Sequence, residues 1–246
     1  MNFNLSLYGL IYALGFILFW FVDFPKCSKG FTYRLYVSIF ASIGAIVGGR
    51  LCYVFLYEPY YYLHNLLEIL QIYKGGMSFH GGVIGIITAV FIADKRLFWQ
   101  NLDRAAVVAL IVLPLGRIVN FINGELWGTV TNLPWGVIFL GADLLPRHPV
   151  QLYEAIAEGP LLAFILFLMR SSFVKRGDLA CYFALWYAVL RFVTEFFREP
   201  DLPVGYVIGN ISLGQILCLV QFIVVFIILK RKSDALPGLK TGASYC

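Results

Sequence analysis

Residues Ala105–Gly128 read AAVVALIVLPLGRIVNFINGELWG. Eighteen positions, Ala105–Ile122, are apolar apart from Arg117 and Asn120, which is long enough to cross a bilayer as a helix. The stretch then closes on Asn123, Glu125 and Gly128. A charged group at mid-bilayer costs at least ~2.5–3.5 kcal/mol on insertion scales, so such residues persist where they hold a polar substrate or one another. The run therefore predicts both a membrane helix and, at its end, a polar site.

Working outward, the same character recurs along the chain. Of 246 residues 60% are apolar and 13% charged, against roughly 25% charged in a soluble domain. Six further runs are long enough to span: Leu5–Val22, Leu35–Leu56, Met77–Ala93, Leu152–Met169, Leu179–Phe197 and Ile211–Leu229. The first and last carry no charge. Pro114 and Pro160 lie inside two of the seven spans, where lipid-embedded helices tolerate them. The expectation is an all-α polytopic protein with seven transmembrane helices. Residues 1–233 form a single domain and 234–246 a short disordered cytoplasmic tail.

Orientation follows from the basic residues. Lys26, Lys29 and Arg34 fall in the first gap, Lys95, Arg96 and Arg104 in the third, and Arg170, Lys175 and Arg176 in the fifth. Lys230, Arg231, Lys232 and Lys240 follow the last span. These are thirteen of the 19 Lys and Arg residues, all on alternate gaps, which makes that side cytoplasmic and leaves the N-terminus outside. The net charge of +5 is thus a topology signal spread over four loops, not a nucleic-acid surface. The first span lacks a basic n-region and an A-x-A cleavage pattern and is expected to be retained. Five cysteines without C-x-x-C spacing and three scattered histidines indicate neither a disulfide framework nor a metal site.

The remaining basic residues, Arg50, Lys74, Arg117, Arg147, Arg191 and Arg198, lie in spans or on the outer side. Arginine suits bidentate contact with phosphate or carboxylate. Each could instead pair with Glu58, Glu125, Glu154, Glu158 or Glu195 to hold helices together. Arg191, Glu195 and Arg198 share one face of the sixth span. Two arginines for one glutamate there leave positive charge for an anionic ligand. Glu154 and Glu158 share a face of the fifth span, where helix pairing is the expected role. Gly75–Gly82 (GGMSFHGG) is a glycine-rich helix start that could bind an anion on its backbone N–H groups. Its His80 is either a proton acceptor near neutral pH or a histidine bonded between helices. Tyr8 and Tyr12 lie near the outer end of the first span, where interfacial tyrosines are common.

Several pieces together resemble bacterial prolipoprotein diacylglyceryl transferase: Tyr8-Gly9, Gly49-Arg50-Leu51, Gly75–Gly82, Gly116–Gly128, Arg147-His148-Pro149, Gln151–Ala155, Arg191-Phe192 and Glu195–Asp201. Asn120–Gly128 (NFINGELWG) is the most specific of them. The chain departs from the family pattern at Val119 (glycine expected), Thr129 (arginine expected) and Val150 (serine expected). The resemblance implies a multi-pass enzyme of the bacterial cytoplasmic (inner) membrane, with its active site toward the outer face and no cofactor or metal. It implies transfer of the diacylglyceryl group of phosphatidylglycerol to the lipobox cysteine of a preprolipoprotein, releasing glycerol 1-phosphate. On that basis Arg117 would hold the lipid phosphate, supported by Arg191 or Arg198 with Glu195. Asn120, Asn123 and Glu125 would orient the glycerol head group. His80 would take the thiol proton, with Tyr8 or an arginine-bound phosphate oxygen as competitors. Gly75, Gly81 and Gly128 would let backbone and lipid approach closely. A transporter, which usually shows repeat symmetry, and an intramembrane protease are the alternative classes. The sequence shows neither a repeat nor a protease nucleophile–base pattern.

Overall fold

A computed structural model describes residues 3–22, 30–200, 205–209 and 211–234. The tail expected after residue 234, the basic residues Lys26, Lys29 and Lys240, Asp201, and Cys27 and Cys246 lie outside the described residues. The architecture is mostly helical: α1 (Phe3–Phe21), α2 (Phe31–Leu56), α3 (Pro59–His64), α4 (Phe79–Ala93), α5 (Phe98–Asn123), α6 (Val150–Ile156), α7 (Leu162–Leu168), α8 (Asp178–Thr194) and α9 (Leu213–Asp234). Among the described residues five continuous helices are long and apolar enough to cross a membrane: Phe31–Leu56, Phe98–Asn123, Val150–Leu168, Asp178–Phe197 and Leu213–Asp234. Leu7–Phe21 and Phe79–Ala93 are apolar but shorter. Two short antiparallel pairs qualify the all-α expectation: β1 (Val137–Ile138) with β2 (Pro146–Arg147), and β3 (Tyr206–Ile208) with β4 (Ile211–Ser212). Arg34 and Arg104, placed in gaps by the sequence reading, lie within α2 and α5.

The chain packs as two compact units. One comprises Phe16–Arg104; the other comprises Met1–Gly15 with Ala105–Cys246. In the first, α2 and α4 meet through glycines. Gly44 and Gly48 on α2 and Gly81 and Gly85 on α4 each repeat at a spacing of four, the small-xxx-small pattern that lets membrane helices touch backbone to backbone. A Cβ at Gly48 would lie 2.7 Å from the Gly85 Cα, and one at Gly44 would lie 2.6 Å from the Ala89 Cβ. The end of α1 is closed by Arg104. Its guanidinium donates to the Phe19 carbonyl (2.5 Å), the Val22 carbonyl (2.9 Å) and Asn101 Oδ1 (2.9 Å). Carbonyls at a helix C-terminus lack intrahelical donors, and a buried cation there meets both that need and the helix dipole.

In the second unit α6 and α7 form one rod, joined by a π-helical turn at Ala157–Leu161 that absorbs Pro160. Gly159 in that turn faces Pro114 of α5, and a Cβ there would come within 2.9 Å of the proline ring. The two prolines therefore mark one close crossing.

Gly85→Leu forces a side chain into the α2 backbone. Overpacking typically costs ~1–3 kcal/mol, so a clear drop in thermal midpoint in detergent is expected. Gly116→Ala, where a Cβ meets nothing within 4 Å, is expected to leave the midpoint unchanged or raise it. Equal midpoints for Gly85→Leu and the parent protein would contradict the backbone contact.

Candidate active site

The polar residues of the second unit gather at the end of α5. Asn123 is its last helical residue, and the Glu125 N–H reaches back to the Asn120 carbonyl (2.9 Å). Gly124 (φ +63°) and Leu126 (φ +55°) then turn the chain through the left-handed region, which is costly for leucine. The peptide between Glu125 and Leu126 is pinned by Gln151 of α6, whose amide donates to the Glu125 carbonyl (2.5 Å). The Glu125 carboxylate accepts the Tyr8 hydroxyl (2.7 Å). That hydrogen bond fixes where the Tyr8 oxygen sits beside the turn.

Beyond the turn, three strands of chain knit together. Gly128 N–H donates to the His148 carbonyl (3.0 Å), His148 N–H to the Thr129 carbonyl (3.0 Å), and Thr129 N–H to the Phe197 carbonyl (3.0 Å). Arg147 clamps them from one side, donating to the Gly128 carbonyl (3.0 Å), Asp143 (2.9 Å) and Glu199 (3.0 Å). Its guanidinium holds the Asp143 carboxyl below its ordinary range. A carboxylate with a lowered pKa favours the folded pairing above its ordinary value, and the contribution fades as pH falls through the lowered one. The pairing is therefore complete at neutral pH.

One helical turn and more below, Arg117 sits between two carboxylates. It donates Nε and one terminal nitrogen to both oxygens of Glu158 (3.0 Å each), and its other terminal nitrogen meets Glu154 (3.0 Å). Arg191 of α8 takes the second oxygen of Glu154 and pairs with Glu195 (2.5 Å). Arg198 stands 3.8 Å from Glu195, and the Ser212 hydroxyl donates to the same carboxylate (3.0 Å). Glu154 and Glu158 are 1% and 0% exposed, so these charges have no bulk water to fall back on. The surplus of positive charge expected on α8 is corrected by this arrangement. Arg117, Arg191 and Arg198 face Glu154, Glu158 and Glu195, three against three.

A family model described as Prolipoprotein diacylglyceryl transferase matches residues 1–231. The chain belongs to this family. It is 42% identical over 250 residues to the phosphatidylglycerol–prolipoprotein diacylglyceryl transferase of Oleidesulfovibrio alaskensis, covering 97% of this chain and 93% of that one. To the enzyme of the same name from the Wolbachia of Brugia malayi it is 44% identical over 220 residues, covering 85% and 84%. To that of Geobacter sulfurreducens it is 43% identical over 224 residues, covering 88% and 86%.

Read as a diacylglyceryl transferase, the chain brings Tyr8, Asn120, Asn123, Glu125 and Gly128 to the end of α5, and Arg117, Arg191, Glu195 and Arg198 to the buried cluster. Gly128 serves the chain itself: a Cβ there would lie 2.5 Å from the Phe197 carbonyl and 2.6 Å from His148. His80, Gly75 and Gly81 belong to the other unit. His80 is half-buried in the first turn of α4, edge-on to Phe79. Ser78 caps that helix, accepting the Gly81 N–H (3.4 Å), so one of the N–H groups expected to be open to an anion is taken. Gly81 packs against Cys52 and the Gly48 carbonyl. Only Gly75 of the three glycines has open space around it. The Arg50 fork goes to backbone carbonyls, where the sequence offered a glutamate side chain as partner. Gln151, Glu154, Glu158 and Ser212 were not among the expected site residues. The i,i+4 spacing of the two glutamates and the family-like run Gln151–Ala155 were the available signals; Ser212 had none.

Gln151→Leu keeps the volume and removes the donor to a buried carbonyl. An unsatisfied buried group costs ~1–3 kcal/mol, so a lowered thermal midpoint is expected together with faster amide exchange at 124–128. Exchange at 124–128 unchanged from the parent would show that Gln151 does not hold the turn.

Proposed function

We propose that the protein transfers the diacylglyceryl group of phosphatidylglycerol to the thiol of a preprolipoprotein lipobox cysteine, releasing glycerol 1-phosphate, the first step of lipoprotein maturation. The family match over residues 1–231 carries this reading. The names of the relatives, which are 42–44% identical, support it. The apolar helices support a bilayer setting for both lipid and protein substrate. The finer topology belongs to the same reading: seven crossings, with α1 and α4 added to the five, N-terminus outside, in the bacterial cytoplasmic membrane with the site toward the outer face.

The chemistry is a displacement at carbon. The substrate thiolate attacks the glyceryl carbon that carries the phosphate ester, a C–S bond forms, the C–O bond breaks, and the electron pair leaves on the phosphate. Charge develops on the leaving oxygen, so preorganised cations are the effective device. Arg117 takes that role, with Arg191 and Arg198 in support and Glu195 orienting them. Its planar fork, which holds both oxygens of Glu158 at 3.0 Å, suits two phosphate oxygens equally. Asn120, Asn123 and Glu125 orient the head group, with Tyr8 holding Glu125. Gly75 gives room for close approach. His80 accepts the thiol proton, the alternative acceptors being Tyr8 or an arginine-bound phosphate oxygen.

Purified protein, phosphatidylglycerol and a lipobox peptide are expected to yield lipidated peptide and glycerol phosphate; a shortened peptide, or solute uptake into sealed vesicles, would contradict the reading. Within it, His80→Gln is expected to slow transfer at pH 7 by about 10²–10⁴-fold, the usual span for general base catalysis. The defect shrinks as pH rises toward the thiol's own pKa of ~8.5, because the substrate then supplies thiolate unaided. Parallel rate–pH profiles for the two proteins over roughly pH 6–9 would rule out the base role.

A further inference from the structure

Between α2 and α4 the chain runs through residues 57–78 without spanning anything. Its surface is unusual for a polar loop. Leu67 and Leu70 are 80% and 78% exposed, and Tyr60, Leu63 and Tyr73 are exposed beside them. Glu68 is the one charged side chain from Pro59 to Tyr73, and its carboxylate accepts the Tyr61 hydroxyl (2.9 Å).

The backbone explains where such a segment can lie. Outside a helix, carbonyls need partners, and in lipid no water supplies them. Here they are supplied by protein. The Tyr60 carbonyl accepts from the His64 ring (2.9 Å), the Tyr61 carbonyl from the Asn65 amide (3.0 Å), and the Asn65 carbonyl from Glu68 N–H (2.9 Å). Arg50, rising from α2 and 4% exposed, serves four more. It donates to the carbonyls of Glu68 (2.6 Å), Ile69 (2.9 Å), Gly75 (2.5 Å) and Gly76 (3.1 Å), with its cation over the Tyr62 ring (5.1 Å). His64 and Asn65, though exposed, turn back onto the backbone, Glu68 and Gln71 are met by tyrosine hydroxyls, and leucines face out beside them.

We infer that Tyr60–Tyr73 is an interfacial anchor seated at the headgroup–acyl boundary of the bilayer, and that the buried Arg50 fork makes this seat possible by satisfying its carbonyls. The occupant of the apolar face is phospholipid. Exposed leucines with flanking tyrosines and little charge are the composition of a segment lying in the interface, and the two helices that bracket it are apolar. The segment leads directly into Gly75–His80, so its depth sets the depth of that stretch. The inference rests on α2 and α4 being membrane helices and is independent of the proposed transfer chemistry.

The test uses the full chain in phosphatidylglycerol-containing proteoliposomes. Leu67→Trp is read as the difference from the parent protein, so the five native tryptophans cancel. Blue-shifted emission, quenched by phospholipid brominated near the glycerol end of its acyl chains and little affected by aqueous iodide, is expected. Leu70→Trp reports on the same face should Leu67→Trp fail to insert. Emission at the wavelength of water-exposed indole with iodide quenching would overturn the anchor, as would concentration-dependent cross-linking between copies at this face. In the Leu67→Trp protein, Arg50→Lys keeps the charge but loses the fork. A shift of emission toward that of exposed indole is expected, and an unchanged spectrum would overturn the role given to Arg50. Transfer activity is measured separately, so loss of the anchor and failure of the proposed reaction are distinguishable.

Discussion

The Arg117 guanidinium, held between Glu154 and Glu158, is the contact on which the larger unit depends. It ties α5 to the α6–π–α7 rod. Glu154 passes the link to Arg191 on α8, and Glu195 passes it to Ser212 at the start of α9. Buried ions are expensive to desolvate, and their mutual attraction offsets this only when geometry and hydrogen bonding are nearly complete. The geometry here demands a straight rod with Glu154 and Glu158 on one face. The π turn delivers that despite Pro160, and Gly159 lets the rod close on Pro114. A cluster with cations and carboxylates in equal number is stable without ligand. In the proposed reaction an arriving phosphate would compete with Glu158 for the fork, so the same contact would set both the fold and the ease of binding.

Arginine does a second kind of work in the smaller unit. Arg50 and Arg104 meet backbone carbonyls, Arg50 at an irregular loop and Arg104 at the end of α1. Both are places where main-chain oxygens lack an intrahelical donor. Five donors on a rigid fork suit this better than the single ammonium of lysine. The helices beside them need no such device, because Gly44, Gly48, Gly81 and Gly85 bring backbones into direct van der Waals contact.

Much of this was legible in advance because hydropathy reports on solvent. The long helices fall where apolar runs exceed a bilayer's width. Arg117, Asn120 and Glu125 stood out because charge is rare in such runs. The pairing of the glutamates of the fifth span was likewise readable, since a spacing of four places side chains on one face. What could not be read was partner choice. Arg191 has Glu195 one turn away, yet it also binds Glu154 on another helix, and only tertiary packing brings that carboxylate near. Arg50 has glutamates close in sequence but spends its fork on carbonyls, whose availability depends on a loop conformation with no periodic signature. Gly81 and Gly128 resembled glycines kept small for a ligand. Each also lies against a neighbouring stretch of chain, a contact invisible without the neighbour.

The account's central claim is that Arg117 and Glu158 are coupled in holding the fold while Arg117 is needed for transfer. A double-mutant cycle with Arg117→Met and Glu158→Met, read by thermal unfolding in detergent and by transfer to a lipobox peptide, separates the two. Arg117→Met strips the buried Glu158 of its partner, at a cost of ~3–5 kcal/mol, and Glu158→Met leaves the cluster one carboxylate short, with Arg117 still on Glu154. The double variant is predicted to regain much of the lost stability and to have no transfer activity. Destabilisation that is simply the sum of the singles, or transfer by the double variant at the parent rate, would contradict the account.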